Sequence, residues 1–328
     1  MQPDKRNHLI DLLRILAASW VVFFHLNQPI KPIDNWYRDF CKYGHLGVPI
    51  FFMISGYCIL IALQHAQKPA EFIVRRFFRI FPPYWFSLVV TAMIILLLKF
   101  TTSVNSVAII PKNITGIVAT LTLTTSPITN VKTINWVYWT LSYEAFFYLA
   151  VFACAFFKKQ YFVIALIMVT LLSTILPGFA SGPLFFLNLW PLFSFGAAIY
   201  QLLHRPAYKW FNIALLVVTV VNFYVTHQSY IYVTLCLITG AFIVINHFKP
   251  LKSNLLSRYG DISYSLYLIH VPIGIYLLGH LKIAAIQTNL ALNILFDVGM
   301  LIFLVFVSKL IHRYVELPAI RYGKRFGK

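Results

Sequence analysis

The chain has 328 residues, of which 60% are hydrophobic and 11% charged, with a mean hydropathy of +0.77. That composition excludes a soluble domain of this size. Lys and Arg number 27 against 9 Asp and Glu, a formal charge of +18, yet the basic residues fall in small groups between apolar runs rather than in the stripe that binds nucleic acid. The pattern predicts an all-α, multi-pass membrane protein with its positive charge in the loops.

Ten runs approach the length needed to cross a hydrocarbon core. They are Leu9 to Asn27, Leu46 to Leu63, Tyr84 to Lys99, Trp136 to Phe157, Tyr161 to Leu176, Phe185 to Leu203, Phe211 to Thr226, Tyr230 to Phe248, Ile262 to Leu281 and Leu290 to Ile311. The Thr-rich stretch from Ile114 to Thr125 is too short to cross and reads as interfacial or re-entrant. Sorting the 27 basic residues onto alternate sides of ten spans gives 20 against 7, which places both termini in the cytoplasm. Lys5 and Arg6 precede a first span that has no small-residue cleavage site and so reads as retained. Residues 1–328 read as one transmembrane domain with no appended soluble domain. The four cysteines lack metal-ligand spacing and read as packing residues, and no metal site is expected.

Ionisable residues at membrane depth are costly and mark candidate sites. In the first span Arg14 and His25 are eleven residues apart, which places them on one helix face about 16 Å apart along the axis. Arg14 has the alternative of snorkelling to the interface and pairing with Asp11, and His25 that of a core histidine bonded to a backbone carbonyl. Ser55 and Gly56 sit near mid-depth of the second span, where small residues serve either close helix approach or substrate contact. Arg75, Arg76 and Arg79 lie on an amphipathic helix that Pro82 and Pro83 are expected to end. Their guanidinium forks suit an anionic donor, or else anionic lipid. The fourth span carries Trp139, Ser142 and Glu144, the last at a depth comparable to His25. If the two meet, the carboxylate would orient the imidazole as a general base; otherwise Glu144 is a structural acid or proton relay. In the ninth and tenth spans His270, which follows Tyr264 and Tyr267, and Asp297 read first as helix-packing hydrogen-bond partners.

Five groups of residues, in this order, resemble the membrane-bound acyltransferase 3 family, which contains bacterial O-acetyltransferases of surface polysaccharides. They are Asp11, Leu13, Arg14 and His25; Gly47, Val48, Phe51, Phe52, Ser55 and Gly56; Arg75, Arg76, Arg79, Ile80 and Pro82; Trp139, Leu141, Ser142 and Glu144; and Ile262 to Tyr267 with His270. Pro49 stands where many relatives carry a polar residue. The resemblance implies transfer of an acyl group, usually acetyl, from cytoplasmic acyl-CoA to a hydroxyl of a surface glycan or lipid-linked saccharide, in the bacterial cytoplasmic membrane. It implies acetyl-CoA as co-substrate with no permanently bound cofactor. It assigns His25 and Glu144 to catalysis, Arg14, Arg75, Arg76 and Arg79 to the donor, and Ser55, Gly56, Trp139, Ser142, Tyr264 and His270 to the lining. The competing reading is a transporter or flippase for a lipid-linked glycan or small anion. No nucleic-acid partner is expected, membrane lipids are, and the sequence leaves the oligomeric state open.

Overall fold

The computed structural model describes residues 6–28, 35–101, 110–176, 181–226 and 228–326; Lys5, Lys31 and Lys328 of the charge sorting lie outside them. In chain order the helices are α1 (His8–Asn27), α2 (Trp36–Lys42), α3 (Gly47–Gln64), α4 (Pro69–Thr101), α5 (Ile114–Leu121), α6 (Trp139–Cys154), α7 (Lys159–Ile175), α8 (Trp190–His204), α9 (Lys209–Val225), α10 (Tyr230–Phe248), α11 (Ser263–Ile269), α12 (Ala284–Thr288), α13 (Leu290–Ile311) and α14 (Leu317–Phe326). A π-helical segment, His270–Leu277, continues α11, and no β-strand occurs among the described residues. Among the described residues seven stretches are long and apolar enough to cross a membrane: His8–Asn27, Trp36–Gln64, Pro69–Thr101, Trp136–Cys154, Pro206–Val225, Tyr230–Phe248 and Leu290–Phe326. The remaining three of the ten expected spans correspond to shorter helices: α7 with 17 residues, α8 with 15, and α11 with 7 before its π segment. The chain is a multi-pass membrane protein by this measure.

The bundle presents apolar side chains outward and packs a largely apolar core within. Val217, Val221, Phe242, Leu295, Ile302 and Phe306 are exposed on α9, α10 and α13, where lipid is the natural solvent. Short polar links between helices are set into that core. Thr170, Ser194 and Thr219 join α7, α8 and α9 through hydroxyl contacts of 2.9–3.0 Å, and the Asn222 amide donates to Ser173 at 2.7 Å. Such groups find no water in hydrocarbon, so bonding each other is the low-energy arrangement.

α4 corrects one expectation. Its 33 residues run through Pro82 and Pro83 without a break. Each proline lacks the N–H that would bond the carbonyl four residues back, at Phe78 and Arg79. A neighbouring helix packs on that turn, where the Tyr264 hydroxyl donates to the adjacent Ile80 carbonyl at 2.9 Å. Buried surroundings of this kind are what let membrane helices keep prolines. Arg79 is thereby held in one continuous helix rather than at a helix end.

α3 and α8 cross at backbone contact. A Cβ on Gly56 would strike the Phe193 carbonyl oxygen, and one on Gly196 would strike the Met53 carbonyl oxygen. Of the two roles weighed for Gly56, close helix approach is the one the packing realises. A valine at Gly56 or Gly196 meets backbone, which cannot rotate aside. It is expected to destabilise the protein by at least about 1–3 kcal/mol. Gly299 faces open space within 4 Å, so Gly299→Ala serves as the neutral control in a thermal-unfolding comparison in detergent.

Candidate active site

α1 runs opposite to α3, so Arg14 lies toward the end of the bundle where α1 begins, here the proximal end, and His25 toward the distal end. Two cavities are stacked along that axis. The first is lined by Arg14, Ser55, Arg79, Thr140, Glu144 and Tyr264 among others. The second is lined by His25, His45, Pro49, Trp139 and Tyr232 among others. Val48, Phe52 and Tyr267 line both, and so form the wall between them.

In the first cavity the cations and the acid have different environments. Glu144 Oε1 accepts from Ser55 Oγ at 3.1 Å and from the hydroxyl of Tyr148, one helical turn further along α6. The Arg76 guanidinium lies over the Tyr148 ring, 5.6 Å from its centroid. Arg79 feels the charges of Glu316 and Glu144 without a hydrogen bond to either carboxylate. Arg14 does not pair with Asp11, whose carboxylate accepts from Arg6 Nε at 2.6 Å instead. Arg14 and Arg79 therefore bring two guanidinium groups to one small cavity, an arrangement suited to an anion. Arg75 is placed elsewhere: it pairs with Glu71 and donates to the His65 carbonyl at 3.1 Å. Ser142 lines neither cavity, because its hydroxyl donates to the Leu123 carbonyl at 2.9 Å.

The second cavity shows which group meets His25. It is His270, not Glu144: His270 Nε2 lies 3.0 Å from His25 Nδ1. His270 Nδ1 lies 2.7 Å from the Tyr267 carbonyl oxygen, which can only accept. For neutral rings the protons follow by elimination. His270 carries its proton on Nδ1, so its Nε2 is an acceptor. His25 Nδ1 then carries a proton, shared between His270 Nε2 and the Val21 carbonyl at 3.1 Å. His25 Nε2 is left with its lone pair, and it has no hydrogen-bond partner among the described residues. A base oriented by a second group is the arrangement general-base catalysis requires. The backbone carbonyl weighed as a bland partner for His25 is present at Val21, alongside the histidine pair rather than in its place. Phe24 packs edge-on at 4.9 Å between centroids, and Trp136 at 6.3 Å completes the wall of the ring.

Just beyond His25, the distal end of α1 is tied by a buried polar network centred on Asp297, which acts as the helix-packing partner the sequence suggested, while the burial of Lys282 was missed. Lys282, which hydropathy places in a loop, is buried with its ammonium 2.6 Å from Asp297. Asp297 also accepts from Asn27 at 2.6 Å and from the Tyr37 hydroxyl at 2.7 Å, while Arg38 donates to Asn27 Oδ1 at 2.7 Å. Tyr148 was missed as well, although its position four residues after Glu144 is a legible signal. No group of three or more His, Cys, Asp or Glu side chains able to hold a metal occurs among the described residues.

Comparison with known proteins bears on the family. A stretch of 92 residues is 34% identical to Nodulation protein 10 of Rhizobium leguminosarum bv. viciae, covering 26% of this chain and 24% of that protein. A second stretch of 82 residues is 35% identical to a Komagataeibacter xylinus protein carrying the name membrane-bound transacylase BcsY, covering 24% of this chain and 18% of that one. The chain thus aligns with about a quarter or less of the length of either relative. No solved structure matches. The model of the acyltransferase 3 family, described as an acyltransferase domain, matches residues 7–313, and this chain belongs to that family.

Proposed function

We propose that the protein moves an acyl group, acetyl in the first instance, from acyl-CoA to a hydroxyl of a surface-glycan or lipid-linked saccharide. The carrying observation is the pair of stacked cavities, with free guanidinium groups in one, a base in the other and a shared wall between. The donor enters from the proximal end, which the excess of basic residues assigns to the cytoplasm of a bacterial inner membrane, and its anionic portion meets Arg14 and Arg79. The acceptor enters from the distal end. His25 Nε2 takes the proton of its hydroxyl as the oxygen attacks the thioester carbonyl. The C–O bond forms, the C–S bond breaks, and the proton passes to the departing thiolate, which leaves as the free thiol. Glu144, held by Ser55 and Tyr148, keeps the charge of the first cavity balanced against Arg79. Direct transfer through His25 as base needs no acyl-histidine intermediate.

Mass analysis of surface glycans from cells with and without the gene tests this reading. One saccharide is expected to lose a single acyl mass when the gene is absent, and a cell carrying only Arg79→Gln is expected to show reduced acylation. Unchanged glycans, together with no thiol release from acetyl-CoA by the purified protein, would overturn it.

A further inference from the structure

A third cavity lies at the proximal end, where α3 and α8 finish and α4 and α7 begin. Its volume is about 610 Å³, against about 80 and 150 Å³ for the two already described, so of these three it is the one of a size that accepts a large organic group. Its lining combines three kinds of chemistry. Lys68 and Arg205 supply positive charge, Phe157, Phe162 and Tyr208 supply aromatic surface, and Gln201 supplies an amide. Gln201 is only 5% exposed, and its side-chain oxygen is buried with no hydrogen-bond partner. An orphaned buried acceptor is unfavourable unless a ligand or water satisfies it. Arg205 is fixed in direction by Gln64, whose amide oxygen, once turned toward the guanidinium, lies 2.9 Å from it.

The position matters as much as the chemistry. Lys68 and Pro69 line this cavity and Arg79 lines the first. From Pro69 to Arg79 the helix is continuous, and its ten rises span about 15 Å. Arg75 and Arg76 occupy the helix between. A long, flexible donor with an anionic aromatic head and a reactive tail matches that layout, its head in the large cavity and its tail in the small one.

We propose that this cavity is the subsite for the phosphorylated purine head of the donor, with the exocyclic amine of the base donating to Gln201 Oε1, the ring flanked by Tyr208 and Phe157, and phosphates held by Lys68 and Arg205. The proposal rests on the acyl-CoA reading above and adds to it a location and a reader of the base. It also explains why an uncharged amide is left unpaired among cations: a cation at position 201 would repel the amine's partial positive charge.

The test compares acetyl-CoA with S-acetylpantetheine, which carries the thioester and lacks the nucleotide. The quantity read is the ratio of kcat/KM for the two donors with the purified full-length protein. Arg205→Gln and Gln201→Leu are each expected to lower that ratio about tenfold or more, the scale of one hydrogen bond to a charged group. Lys68→Gln, at an exposed position where folding is not at risk, is expected to lower it in the same direction. A folding defect scales both donors alike and leaves the ratio unmoved. An unchanged ratio in all three variants of an enzyme that does consume acetyl-CoA overturns the subsite and leaves the acyltransfer reading standing. Failure of the unsubstituted protein to use either donor overturns both.

Discussion

Replacing His25 with Ala is expected to lower acyl transfer by about 10²–10⁴-fold, the usual contribution of a general base, while the unfolding temperature in detergent changes little. The site tolerates the truncation because the ring already borders a cavity. His270 gives the discriminating comparison. Its service to the reaction is to accept the proton of His25 Nδ1 and so leave Nε2 free. His270→Ala is expected to reduce kcat with little change in KM for the donor, whereas His270→Gln, whose amide oxygen can accept the same proton, is expected to recover part of the loss. Full transfer by His25→Ala, measured as thiol release, would sink the assignment.

The second large effect is on stability. Asp297→Ala removes the partner of a Lys282 side chain that is 4% exposed, and it strips Asn27 and Tyr37 of their acceptor. Breaking a buried ion pair on one side costs about 3–5 kcal/mol, because the remaining charge stays in a low-dielectric interior. A clear fall in the unfolding temperature is expected. The double variant Lys282→Met with Asp297→Leu removes both charges and is expected to recover much of it. Activity should follow, since Asn27 lies two residues from His25 on the same helix end. Equal unfolding temperatures for Asp297→Ala and the unsubstituted protein would show that the network carries no such energy.

Hydropathy made the long helices legible: α1, α10 and α13 match the runs Leu9 to Asn27, Tyr230 to Phe248 and Leu290 to Ile311 within a residue. It failed at Pro82 and Pro83, because whether a proline ends a helix depends on what packs around that turn, and Tyr264, which bonds Ile80 there, comes from a segment nearly two hundred residues away. The candidate site was legible as residue types and depths. Helical spacing placed Arg14 and His25 on one face, and both do line cavities on the bundle axis. Partners were not legible, because depth along a helix says nothing of which neighbour stands opposite. His25 therefore meets His270, 245 positions later, while Glu144 at similar expected depth meets Ser55 and Tyr148. Lys282 was misplaced for the same reason, since a charge counted into a loop by hydropathy can still be drawn inside by a buried carboxylate.

The wall of Val48, Phe52 and Tyr267 also bears on electrical insulation. A protein hollow from both ends of a membrane is one breach away from becoming a pore. Each elementary charge that crosses releases about 2.3 kcal/mol per 100 mV of membrane potential, so even a slow leak drains the cell. The wall is made of one aliphatic and two aromatic side chains, and it offers a hydrated ion only the Tyr267 hydroxyl, which is already committed to Val137 and Thr140. In the proposed transfer, the acyl end of the thioester is small and uncharged, needs no hydration, and has to reach past only these side chains. The same three residues thus separate what the membrane must retain from what the reaction must pass.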